Sequence, residues 1–153
     1  MWSFVYDQAM VAPAPGNSAP FRMLVCLLLE SSQMPTPIAV VLAEDEPFTR
    51  MVAADALRDQ GFKVMEAASA EEALDILHAH ACDVHVLFTD IHMPGPMDGL
   101  ALAHYAALNW PWISFLIASG RARPGNAELP ARSRFVAKPY CHDHVIGHIR
   151  EMA

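Results

Sequence analysis

Three carboxylates, a hydroxyl and an ammonium stand directly after short apolar runs in this sequence: Glu44 and Asp45, Asp90, Ser119, and Lys138 ahead of Pro139. Brought side by side, Asp45 and Asp90 would repel each other in a partly dry cleft. A hard divalent cation relieves that repulsion, and Mg²⁺ takes oxygen ligands while keeping several waters. Lys138 would bring a compact positive charge to Asp90 or to anionic oxygens near it. Ser119 could donate its hydroxyl to a phosphoryl oxygen. The loop IHMPGPMDG at Ile91–Gly99 is stiff at Pro94 and Pro96 and pliant at Gly95 and Gly99. Such a loop could hold a backbone carbonyl toward a metal. Each signal is weak by itself. A single strand-end acid usually faces solvent or caps the next helix, a lysine before proline is usually a plain surface residue, and Ser-Gly usually begins a loop.

The elements that must position these groups follow from hydrophobic period. Ile38–Ala43 (IAVVLA) is nearly all apolar, as a strand buried on both faces should be. Pro47–Gln60 reads as a helix that starts on Pro47, stops at Gly61 and turns Phe48, Met51, Val52 and Ala56 inward. Phe62–Glu66 reads as a strand. Ser69 and Glu72 form a capping box for a helix whose buried stripe is Ala70, Ala73, Leu74 and Leu77. Val84–Thr89 reads as the third strand, Asp98–Asn109 as the third helix with Asp98 as its cap, and Trp112–Ala118 as the fourth strand. Gly120–Arg134 has room only for a short helix near Asn126–Leu129. Phe135–Ala137 is a brief fifth strand and His142–Met152 the last helix. Alternating strands and helices predict an α/β domain with a parallel sheet and right-handed crossovers. In such sheets chemistry sits outside the carboxyl ends of the strands, where the strand order reverses. That is where the acids, Ser119 and Lys138 would meet.

Composition narrows the function class. The 153 residues suit about one domain and can bury a core. With 54% hydrophobic and 18% charged residues the chain is no disordered polyelectrolyte. No apolar run approaches the ~20 residues of a membrane span. A net charge of −7 argues against binding nucleic acid through phosphate contacts. Cys26, Cys82 and Cys141 form no CxxC pair and no disulfide framework, which points to the reducing cytoplasm.

Residues 1–37 differ from the rest, with Pro13, Pro15, Pro20, Pro35 and Pro37 but only Arg22 as a basic residue. They are expected to be a flexible N-terminal extension, or the product of a start codon placed upstream of Met34. Met23–Leu29 (MLVCLLL) lacks the basic cluster before it and the small-residue cleavage site after it that a signal peptide carries. The sequence contains no visible internal repeat.

Residues 38–153 resemble the receiver domain of two-component response regulators. The matching pieces are VVLAEDE at Val40–Glu46, TDIHMPGPMDGL at Thr89–Leu100, LIASG at Leu116–Gly120 and FVAKPY at Phe135–Tyr140. The resemblance implies a flavodoxin-like (βα)5 doubly wound parallel sheet with strand order 2-1-3-4-5. It implies that Asp90 is the phosphoacceptor and that Glu44, Asp45, Asp90 and the backbone carbonyl of His92 hold Mg²⁺. Ser119 and Phe135 take the switch positions, Lys138 takes the position of the family's lysine, and the Lys138-Pro139 bond is expected to be cis.

Four features depart from the family pattern. The Pro94–Gly99 segment carries one residue more than the commonest form of that loop. Gly120–Arg134 leaves little helix where the family often has a full one. Residues 1–37 have no counterpart, and no output domain is expected after the last helix. The resemblance therefore implies a stand-alone, bacterial-type phosphoreceiver. A histidine kinase or phosphotransfer protein would donate to Asp90, and output would be binding to a downstream protein, with neither nucleic acid nor membrane as partner. It would not be an enzyme beyond assisting its own phosphorylation and dephosphorylation. Two other readings stay open. One is a Mg²⁺-dependent aspartyl-phosphate hydrolase, which usually has a second acid two residues on, where His92 stands. The other is a phosphorylation-independent, receiver-like docking module.

The remaining polar and aromatic residues suggest less. His144 and His148, four apart on a helix with His142 nearby, lack a third ligand at set spacing and read as solvated helix residues. His78 and His80 read as a helix end. Trp110 and Trp112 around Pro111 read as core or turn packing, and Cys82 and Cys141 as small apolar residues.

Overall fold

The computed structural model describes residues 36–121 and 123–153. The extension expected over residues 1–37 thus falls, but for its last two residues, outside the described part. The elements are β1 (Ala39–Ala43), α1 (Pro47–Asp59), β2 (Lys63–Ala67), α2 (Ala70–His80), β3 (Val86–Asp90), α3 (Gly99–Asn109), β4 (Ser114–Ser119), a 3-10 turn (Asn126–Glu128), β5 (Ser133–Ala137) and α4 (His142–Met152). All strand pairs are parallel and the order is β2-β1-β3-β4-β5, as the resemblance implied. Among the described residues the connection from β4 to β5 holds only the 3-10 turn, in keeping with the short element expected there.

The three central strands, β1, β3 and β4, are buried at every position. Successive side chains of a strand point to opposite faces, so a sheet covered on both sides needs continuous apolar runs. Val40, Leu42, Val86, Phe88 and Leu116 pack against α1 and α4, with Ala53, Leu57, Val145 and Ile149 as the helical partners. Val41, Leu87, Phe115 and Ile117 pack on the other face against α2 and α3, through Ala73, Leu77, Leu102 and Ala106. The helix starts follow the sequence. Glu46 accepts from the Phe48 and Thr49 amides ahead of α1, and Asp98 Oδ1 accepts from the Ala101 amide at 2.8 Å ahead of α3. Ser69 Oγ accepts from the Glu72 amide, but the Glu72 carboxylate reaches back to the Ala68 amide rather than to that of Ser69.

The expected inner face of α1 is corrected by the structure. Phe48 is 67% and Met51 49% exposed, whereas Ala53, Ala54 and Leu57 are buried. This helix is apolar on more than one face, and the face that meets the sheet is the one with Ala53, Ala54 and Leu57.

Candidate functional site

The sheet order brings the ends of β1 and β3 together. Ala43 pairs with Thr89, so Glu44 and Asp90 leave the sheet side by side at the switch in strand order. Ser119 closes β4 and pairs with Ala137, which delivers Lys138 to the same edge. One ligand oxygen each from Glu44, Asp45 and Asp90 lie within 4.8 Å of one another. The Lys138 ammonium bridges two of the acids, with Nζ 2.6 Å from Glu44 Oε2 and 3.1 Å from Asp90 Oδ2. Sequence reasoning expected Lys138 to pair with Asp90 or with anionic oxygens near it; it meets both, and the shorter contact is to Glu44.

The local backbone holds these groups in place. The Lys138 amide donates to the Ser119 carbonyl at 2.9 Å, and the Lys138-Pro139 bond is cis. Thr89 Oγ1 donates to the Asp90 carbonyl at 3.0 Å and the Gly99 amide donates to the Ile91 carbonyl at 2.9 Å. A Cβ on Gly99 would lie 1.8 Å from the Asp90 carbonyl oxygen, so only glycine lets α3 start this close to the end of β3. Arg50 Nη1 donates to the Glu44 carbonyl at 2.7 Å. Motif reading did not single out Arg50 or the closeness of Gly99, since no spacing rule predicts either contact.

Electrostatics at the site are strained. Burial pushes the Glu44 carboxyl above its ordinary value, further than the hydrogen bond and charge of Lys138 pull it down, and the charge of Asp90 adds to the rise. Burial opposes the charge of Lys138, but its hydrogen bonds to Glu44 and Asp90 outweigh this and hold the ammonium above its ordinary value. Asp90 Oδ1 is buried and has no hydrogen-bond partner among the described residues. An unpaired buried carboxylate oxygen is costly, and here it faces two further acids. Three carboxylates close together, one of them with an orphaned oxygen, fit a cation such as Mg²⁺.

The other expected residues divide. Ser119 is buried, accepts from the Arg121 amide at 3.2 Å and meets His92 Nδ1 at 3.2 Å. The His92 side chain, for which the sequence reading expected less than for its carbonyl, is thus engaged with Ser119. Phe135 is half-buried against the α2/α3 side of the core, away from the acid cluster. On the α1 side a cleft of about 450 Å³ opens beside Lys138, lined by Phe48, Thr49, Val52, Pro139, Tyr140 and His142. The Tyr140 ring lies 5.7 Å from that of Phe88, and burial pushes its phenol above the ordinary value. The histidines read as solvated or helix-terminal stay outside the acid cluster: His144 is exposed, and His148 Nδ1 lies 2.9 Å from Arg134. Cys82 and Cys141 are exposed rather than packed. No helix among the described residues is long and apolar enough to cross a membrane.

Comparison with known proteins agrees with this geometry. A family model described as the response regulator receiver domain matches residues 40–150. The chain is 36% identical over 116 residues to the sensor kinase CckA of Brucella abortus (strain 2308), a match that covers 74% of this chain and 12% of that protein. It is 38% identical over 81 residues to the cyclic di-GMP phosphodiesterase RocR of Pseudomonas aeruginosa, covering 52% of this chain and 20% of that one. The chain therefore spans a small part of the length of either relative. Among solved structures, the receiver domain from the hybrid histidine kinase CckA matches with a TM-score of 0.65 and 30% identity, covering 74% of this chain and 97% of that one. A response regulator receiver protein from Sinorhizobium medicae WSM419 shares the fold with a TM-score of 0.71 at 24% identity, covering 76% of this chain and 94% of that one. With the strand order, the acid cluster and the family match in agreement, the chain belongs to the response regulator receiver domain family.

Proposed function

We propose that this chain is a phosphoreceiver in two-component signalling and that Asp90 accepts the phosphoryl group. The observation that carries the reading is the Asp90 carboxylate: one oxygen is paired with Lys138 and the other is buried without a partner, beside Glu44 and Asp45. The donor would be a phosphohistidine on a histidine kinase or phosphotransfer protein. An Asp90 oxygen forms the new O–P bond as the P–N bond breaks, and the leaving imidazole keeps the electron pair. Phosphoryl transfer of this kind asks mainly for positioning and for cations on the equatorial oxygens. Glu44, Asp45, Asp90 and the His92 carbonyl would hold Mg²⁺, which supplies that neutralising charge. Lys138 provides a second, fixed cation on the same oxygens.

Ser119 and Phe135 would carry the response. The Ser119 hydroxyl turns to the new phosphoryl group, the segment after β4 moves with it, and Phe135 packs further inward, altering a surface that a downstream protein reads. Such a receiver promotes only its own phosphorylation and dephosphorylation, in the cytoplasm, and its acidic surface suits a protein partner better than a nucleic acid. Kinase and phosphodiesterase activities belong to the relatives that bear those names. An immunoblot of the native polypeptide, at this chain's mass or a larger one, tests the stand-alone reading.

Intact mass after incubation with a small acyl-phosphate donor tests the chemistry. One phosphoryl group is expected with Mg²⁺, none without it, and none on Asp90→Asn. Full labelling of Asp90→Asn overturns the assignment. Phosphate released over many turnovers of a phosphate ester would instead make the chain a hydrolase, and absence of Mg²⁺ binding near millimolar concentration a docking module.

A further inference from the structure

The Ser119 hydroxyl meets an imidazole at rest. Ser119 Oγ lies 3.2 Å from His92 Nδ1, across the gap between the loop after β3 and the end of β4. The same oxygen accepts from the Arg121 amide. A ring whose own proton is on Nε2 accepts the Ser119 O–H at Nδ1, whereas a ring with its proton on Nδ1 donates to the oxygen instead. His92 stands at the exposed rim and Ser119 is buried, so the ring reaches inward to the hydroxyl.

We propose that His92 is a latch on Ser119: its imidazole holds the hydroxyl in the unphosphorylated position and must be released before the switch can turn. The inference rests on the reading of Ser119 as the group that answers a phosphoryl group on Asp90. A hydroxyl donates one hydrogen bond at a time. With the His92 proton on Nε2, the form the latch requires, donation to a phosphoryl oxygen and donation to His92 Nδ1 exclude each other. The His92–Ser119 bond stabilises only the resting arrangement and subtracts from the stability of the switched one. His92 acts through Ser119, so it is a positioning residue. It sits two residues beyond Asp90, and the loop that follows the phosphoryl-accepting residue thus carries the restraint on the response.

The test uses the full chain titrated with beryllium fluoride in the presence of Mg²⁺, as a stable analogue of the phosphoryl group, with affinity measured by calorimetry. His92→Ala is expected to bind the analogue roughly two- to tenfold more tightly than wild type, the range set by one neutral hydrogen bond. His92→Asn, whose Oδ1 can stand in for Nδ1, should return the affinity to near the wild-type value. In a Ser119→Ala background, His92→Ala should add no further change. Equal affinities of wild type and His92→Ala overturn the latch. So does a His92→Ala gain that persists without the Ser119 hydroxyl, or a His92→Asn variant as tight as His92→Ala. The mass assay with the acyl-phosphate donor reports separately on the underlying reading. Wild type that takes no phosphoryl group removes the receiver chemistry itself, whereas labelled wild type with an unchanged His92→Ala affinity removes the latch alone.

Discussion

At the carboxyl edge of the sheet Lys138 sits between Glu44 and Asp90, both nearly buried. Toward the amino end of the same strand, β5, Arg134 reaches Glu151 on α4 across open surface. Both are cation–carboxylate contacts, yet they differ physically. The exposed pair gives its charges to water whenever it breaks, so little depends on it. The buried group sets two carboxylates on one ammonium, with Asp45 beside them, and leaves one acid oxygen unpaired among the described residues. Buried charges of this kind are weak evidence of stabilisation, because desolvation offsets their attraction. The difference shows where the fold carries strain for chemistry and where it carries decoration.

The comparison breaks most sharply at glycine. Gly99→Ala would force a methyl into the Asp90 carbonyl and is expected to cost about 3 kcal/mol, with lowered labelling of Asp90. Gly147, in the middle of α4, has nothing within 4 Å of a built Cβ, so Gly147→Ala should stabilise by about 0.5–1 kcal/mol. Chemical denaturation of the two variants against wild type measures both, and equal effects would remove the contrast between the edges.

Charge removal should be the next largest effect. Lys138→Met leaves Glu44 and Asp90 without their cation and is expected to cost about 1.5–3 kcal/mol. Arg134→Ala should move the melting temperature scarcely at all. A melting curve in which Arg134→Ala falls as far as Lys138→Met would mean that exposure does not set the worth of these pairs.

The smallest effect is in pH dependence, and its sign differs between the edges. Lys138 is held above its ordinary value, so its contribution is complete below about 10.5 and is lost as the pH rises through the raised value. The hydrogen bond from Arg134 holds Glu151 below its ordinary value, so that contribution is present above about 4.5 and is lost as the pH falls through the lowered one. Thermal melts across pH should show Lys138→Met flattening the alkaline limb and Glu151→Gln altering only the acid limb, and that slightly.

Much of the site was legible because apolar runs announce buried strands and a parallel sheet gathers their carboxyl ends. Glu44, Asp45, Asp90, Ser119 and Lys138 could be placed at one edge before any distance was known. The inner face of α1 was not legible. Phe48 and Met51 are the larger apolar residues, but hydrophobicity alone does not say which of several apolar faces meets the sheet, and close packing selected Ala53, Ala54 and Leu57. The role of the His92 side chain was hidden as well, since its partner is 27 residues away and on another strand.

The sequence by itself determined the alternation of elements, the caps at Ser69 and Asp98 and the identity of the residues at the strand ends, because these depend on local period and on neighbours within a turn. Only the tertiary structure decided which carboxylate Lys138 approaches most closely, that Asp90 keeps a buried oxygen without a partner among the described residues, and that His92 meets Ser119. Those contacts join residues far apart in the chain, and their lengths follow from how closely the strands and helices pack rather than from any spacing along the sequence.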